Sequence, residues 1–235
     1  MASPRTVLLL ALGEGDAEEG ESFRRPGTPG DPIAGDECGA LHILVGRILS
    51  EKLALHPVIV WPPRIRGGRR SGNPGLLFDL AGVPRGAVLR TGGGMPGGSP
   101  WPRPRWLDAC VGRNRVDLVV VTKDCRKPGC AEATRSGLRA AVGAGLAGIP
   151  IVVAAAMPSL EGWLVPIPES DGVDEREAKR RWHEAGYSLD PGRDYLRRAR
   201  EVDLDVVVSA CPDGFGVLVS DLAAWAEAQQ VRGVD

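Results

Sequence analysis

No apolar run in this chain approaches the roughly 20 residues that a membrane-spanning helix requires, so no such helix is expected and no membrane contact is read from the sequence. Cysteine is scarce and scattered. Cys38, Cys110, Cys125, Cys130 and Cys211 make an odd number, and no two stand at the two-residue spacing of a zinc knuckle, which argues against a cysteine zinc site. The expectation is free thiols in a reducing cytoplasm, where disulfides are rare. The three histidines, His42, His56 and His183, show no ligand spacing, and His42 lies within an apolar helical pattern that suits a packed or capped ring. A surplus of one charge sign is missing too. The formal net charge of −1 therefore assigns no partner by itself, although Glu14, Asp16, Glu18, Glu19 and Glu21 fall together and Arg64, Arg66, Arg69 and Arg70 fall together elsewhere. A signal peptide is not read, because the apolar stretch Val7–Leu12 is short and runs straight into acidic residues.

What is present is an ordinary globular balance: 43% hydrophobic and 25% charged residues in a chain of 235, long enough to bury a substantial core. The length suits one domain over residues 1–235, with a mostly helical C-terminal extension from about residue 167. The 32 glycines and 20 prolines exceed the usual share and crowd between Gly67 and Pro104, which predicts long irregular loops there. No internal repeat is found.

Thr6–Leu12 is continuously apolar for one strand length and is ended by Gly13, as expected of a central strand covered on both faces. The polar, turn-rich stretch from Gly13 to Asp36 precedes an amphipathic helix between Gly39 and Leu55, carried by Leu41, Leu44, Val45, Ile48, Leu49 and Leu53. Pro57 to Trp61 predicts a second strand, stopped by Pro62 and Pro63. Trp106 to Arg113 reads as a helix leading into the apolar strand Val116–Val121, which ends in Thr122, Lys123 and Asp124. Cys130 to Gly148 reads as a helix, and Ile149 to Ala156 as the strand after it. That alternation favours an α/β fold with a mainly parallel sheet flanked by helices. Beyond Pro166, charged helical patterns cover Asp174–Ala185 and Arg193–Glu201, and Phe215–Ala228 has an apolar helical face. Asp203–Ser209 fits either a helix or a strand, since its β-branched residues pull both ways.

Ligands of open parallel sheets gather beyond the carboxyl ends of the strands. Three such places carry acids here: Glu14, Asp16 and Glu18 after the first strand, Asp124 after the strand ending at Val121, and Glu161 after the strand ending at Ala156. Carboxylates converging from separate elements suit a hard cation such as Mg²⁺ or Mn²⁺, although a strand-end acid also serves as a helix cap or a solvated turn. Gly13 and Gly15 alone do not make a dinucleotide-binding turn, because the third glycine is missing and the neighbouring acids repel a pyrophosphate. Arg64, Arg66, Arg69 and Arg70 are the candidate contacts to a nucleic-acid backbone, against the reading of a solvated surface loop. Trp163, Trp182 and Trp225 are read as packing residues. Cys125, beside Asp124, has no histidine placed in sequence to activate it.

Glu14 with Gly15 and Glu18 after the first strand, Gly39 to Arg47 in the first helix, Thr122 to Asp124, Leu160 to Leu164, and Cys211 to Phe215 together span most of the chain. In their order and spacing they resemble an uncharacterised TOPRIM-like bacterial family, a domain of unknown function related to the TOPRIM domains of overcoming-lysogenization-defect nucleases. The resemblance implies a TOPRIM-like parallel sheet and a Mg²⁺- or Mn²⁺-dependent nuclease or related phosphotransfer enzyme acting on DNA or RNA in the cytoplasm. A role in phage defence is part of that implication. Carried over by position, Glu14 and Asp124 take the catalytic and metal-binding roles, with Glu18 and Glu161 as further metal ligands. The family's first aspartate falls at Thr122, whose hydroxyl is a weaker Mg²⁺ ligand than a carboxylate. That departure favours the alternative reading: a non-catalytic module binding nucleic acid, nucleotide or a protein partner encoded nearby. A small-molecule enzyme on a similar sheet has no pocket signature in the sequence.

Overall fold

A computed structural model of the chain describes residues 4–13, 16–24, 27–28, 30–62, 116–125, 129–143, 149–167, 173–188 and 191–232. The arginine loop (Arg64, Arg66, Arg69 and Arg70), the helix expected at Trp106–Arg113, Cys110 and Glu14 lie outside the described residues.

Among the described residues, four strands form one parallel sheet: β1 (Thr6–Leu12), β2 (His56–Ile59), β3 (Leu118–Asp124) and β4 (Ile151–Ala156), in the order β2-β1-β3-β4. The apolar runs of β1, β3 and β4 are thus neighbours, with β1 inside the sheet as expected of a central strand. Its registers pair Leu9 with Leu118 on one side and Val7 with Pro57 on the other. The free side of β2 is met by the segment around Pro32, which bridges Val60, while the Ile33 amide donates to the Ile59 carbonyl at 2.8 Å.

Side chains alternate across these strands and define two packed layers. Val7, Leu9, Ala11, Leu118, Val120, Val152, Ala154 and Ala156 face a core shared with most of the helices. Leu10, Leu12, Val119, Val121 and Val153 face the opposite way, toward Leu138 of α4 (Ala131–Gly143). Each fully buried leucine of this kind contributes about 1.5–3 kcal/mol. Both faces being covered is why these strands are apolar throughout.

The larger layer holds α3 (Ala40–Arg47), continued by a wider π-type turn over Ile48–Lys52, and the C-terminal helices. These are α5 (Leu160–Leu164), α6 (Glu175–Glu184), α7 (Leu196–Glu201), α8 (Leu204–Ala210) and α9 (Val217–Arg232). The ambiguous segment around Asp203–Ser209 is helical. Asp203 caps it, its carboxylate accepting from the Asp205 and Val206 amides, which settles the backbone in the helix. The turn-rich stretch after Gly13 contains two short helices, α1 (Asp16–Glu19) and α2 (Glu21–Arg24). They are separated by Gly20, whose φ of +63° and lack of space for a Cβ require glycine.

Candidate functional site

β3 runs three residues further than its apolar core, because Thr122, Lys123 and Asp124 stay in register with Ala154, Ala155 and Ala156 of β4. Asp124 is thus the last residue of the strand. Thr122 and Asp124, two apart, fall on the same face, the one covered by the C-terminal helices. Asp124 Oδ1 accepts from the Leu160 amide at 3.1 Å and so ties the end of β3 to the first residue of α5. Thr122 is buried.

Glu161, the second residue of α5, is 6% exposed, and both its oxygens receive hydroxyl donors: Tyr195 on Oε1 and Ser159 on Oε2, each at 2.6 Å. Tyr195 comes from a π-type turn over Pro191–Tyr195 that precedes α7. Its phenol is held well above the ordinary tyrosine range, first by burial, then by the charge and hydrogen bond of Glu161, and further by the charges of Glu18 and Asp124. The same hydroxyl therefore feels three carboxylates from three separate segments. Lys179 of α6 joins this group. Burial opposes its charge, yet a 2.5 Å hydrogen bond to Glu175 and the fields of Glu161, Glu175 and Asp124 outweigh that and hold the ammonium above the usual lysine range.

Glu18 is buried at the end of α1. The close approach of Gly39, where a Cβ would stand 2.1 Å from the Glu18 carbonyl oxygen, presses α1 against the start of α3. Glu19, beside it, is fully buried beneath the end of β1. The Gly13 amide donates to its Oε1 at 2.9 Å, and Oε2 has no hydrogen-bond partner. Burial, reinforced by the charge of Glu18 and partly offset by the Gly13 hydrogen bond, pushes this carboxyl up to about 8. His42 is a structural ring. Its Nε2–H donates to the Ala11 carbonyl at 3.1 Å and its Nδ1 accepts from the Gly39 amide at 3.3 Å, so the neutral form is fully bonded. Burial lowers its pKa to about 4.

Of the acids singled out in the sequence, the structure gathers Glu18, Asp124 and Glu161 beyond the carboxyl ends of the strands. Lys179 and Tyr195 belong with them, although no sequence pattern marks them. Among the described residues no group of three or more His, Cys, Asp or Glu side chains is arranged to hold a metal ion. The expectation of free thiols is corrected at one pair: Cys125 and Cys130 are disulfide-bonded, their Cα atoms brought to 5.9 Å where the end of β3 meets the start of α4. Cys38 is a free thiol, and the Cys211 thiol donates to the Gly162 carbonyl at 3.6 Å. Trp163, Trp182 and Trp225 are buried in the core, as expected of packing residues.

No protein-family model, no curated protein and no solved structure matches this chain.

Proposed function

We propose that the strand-end site is the centre of a Mg²⁺- or Mn²⁺-dependent nuclease or related phosphotransfer enzyme acting on nucleic acid, in the TOPRIM-like manner its motifs resemble. The observation that carries this reading is the nearness of Glu18 and Asp124 to the hydrogen-bonded Tyr195–Glu161 pair beyond the carboxyl ends of parallel strands. The donors are all oxygen, which fits a hard cation. Mg²⁺ is commonly held by one or two carboxylates with waters and substrate phosphates completing its shell, so a three-ligand protein cage is not required. Asp124 and Glu18 would hold it, with Glu14 supplying a further carboxylate. When bound, the ion stabilises charge on the reacting phosphate oxygens.

The chain's own groups have distinct parts in this reading. Asp124 stays in place because its carboxylate also caps α5. Lys179 neutralises part of the acidic cluster and can bind a phosphate oxygen as a point charge. Glu161, engaged by two hydroxyls, orients the group around it.

A second reading, a non-catalytic module binding nucleic acid, nucleotide or a protein partner, is favoured by Thr122, a buried hydroxyl where the family pattern places a carboxylate. One experiment separates the two: cleavage of DNA and RNA by the purified chain in Mn²⁺, with Glu14→Gln, Asp124→Asn and Thr122→Asp. Asp124→Asn keeps an oxygen for the Leu160 amide, so the fold is retained while the charge is lost. Each of the first two substitutions should abolish cleavage, and Thr122→Asp should tighten Mn²⁺ binding. No cleavage by any of these proteins, with Mn²⁺ binding unchanged by Thr122→Asp, leaves the binding module as the better account.

A further inference from the structure

The helical C-terminal part reaches the strand-end acids through the Tyr195 hydroxyl. Tyr195 lies 34 residues beyond Glu161, is 4% exposed, and donates to Glu161 Oε1 at 2.6 Å, while Ser159 donates to Oε2 at the same distance. Two donors, one on each oxygen, fix both the plane and the rotation of the carboxylate. The tyrosine is itself held. Its ring packs on Trp182 at 4.6 Å between centroids, Trp182 packs on Tyr187 at 4.7 Å, and the Trp182 indole N–H donates to the Ser188 carbonyl at 2.6 Å. Trp182 is fully buried and belongs to α6, the helix that also carries Lys179.

We infer that Tyr195 is a positioning residue of the strand-end site: its hydroxyl clamps Glu161, so the C-terminal helices are a working part of the site. An appended helical segment would need no buried hydroxyl aimed at a carboxylate in the second residue of α5. The clamp also links Glu161 and Lys179 through one packed unit, since Trp182 on α6 supports the tyrosine that holds the glutamate. The inference rests on the site proposed above. It reaches Glu161 by hydrogen bond and touches no reacting atom.

The test is Tyr195→Phe in the full chain, which removes one oxygen and keeps the ring against Trp182, with Ser159→Ala as the second variant acting on the other carboxylate oxygen. Loss of a hydrogen bond to a charged group should lower kcat of Mn²⁺-dependent cleavage about 10- to 100-fold with KM within about two-fold of wild type. A crystal structure of Tyr195→Phe should show the Glu161 carboxylate rotated from its wild-type position. Unchanged kcat in an active protein overturns the inference, as does a proportional rise in KM with kcat intact. If the wild-type chain cleaves nothing, the nuclease reading falls and the crystal structure alone decides: an unmoved Glu161 carboxylate overturns the clamp, and a displaced one supports it.

Discussion

Glu19 and His42 give this protein a pH response whose shape can be worked out from two buried groups. Glu19 is fully buried, and its carboxyl titrates at about 8 in the fold against an ordinary 4.5, so between those values the folded chain holds a proton that the unfolded chain releases. Stability must then fall as pH rises through that window, by about 1.4 kcal/mol per pH unit, and level off above it. His42 does the reverse. Its ring is held neutral down to about 4 against an ordinary 6.5, so the unfolded chain binds the extra proton and stability rises with pH across that interval. Between 4.5 and 6.5 the two slopes cancel, and from 6.5 to 8 only the Glu19 slope remains, a loss of about 2 kcal/mol. Glu19→Gln keeps an oxygen for the Gly13 amide and removes the ionisation. Its stability should rise by about 3 kcal/mol from pH 4 to 6.5 and then stay level. The variant's advantage over wild type should grow by about 5 kcal/mol between pH 4.5 and 8. Urea unfolding of both proteins at half-unit pH steps, without divalent metal, measures this difference, in which groups common to both cancel. Parallel stability curves for the two proteins would refute the reasoning.

Two further outcomes are expected. Arg47 donates through one guanidinium nitrogen to the Ala199 and Val202 carbonyls at 3.0 and 2.7 Å, closing the C-terminal end of α7 against α3, so Arg47→Ala should destabilise by about 1.5–3 kcal/mol. Arg47→Lys should recover only part of that, because an ammonium lacks the planar fork; denaturant midpoints check both, and a loss below about 0.5 kcal/mol for Arg47→Ala contradicts the role. Replacing Arg66, Arg69 and Arg70 with Ala should weaken nucleic-acid binding and flatten its salt dependence, by roughly 0.9 in the log–log slope for each phosphate no longer neutralised. Binding unchanged at low salt would remove that loop from the site.

The sheet was legible in the sequence because a strand buried on both faces must be apolar at every position, and Thr6–Leu12, Val116–Val121 and Ile151–Ala156 meet that demand almost without interruption. Their punctuation by acids also pointed to where those acids would meet, since side chains just past a buried strand emerge at its carboxyl end. The extent of β3 was not legible. Thr122, Lys123 and Asp124 are poor strand residues by composition, and it is pairing with Ala154, Ala155 and Ala156 that keeps them extended and sets Asp124 at the rim. The helices α1 and α2 were hidden for a similar reason. Their residues read as turn formers, and what holds them is tertiary: the Gly13 amide bonded to Glu19, and Gly20 and Gly39 allowing backbones to touch. Lys179 and Tyr195 escaped notice because both sit in charged helical patterns that look like solvated faces, far along the chain from Glu161. No local periodicity encodes that meeting. It arises only when the aromatic side chains of Trp182 and Tyr195 leave water and dock the C-terminal helices on the sheet, carrying a hydroxyl and an ammonium to acids that the sequence had already lined up at the strand ends.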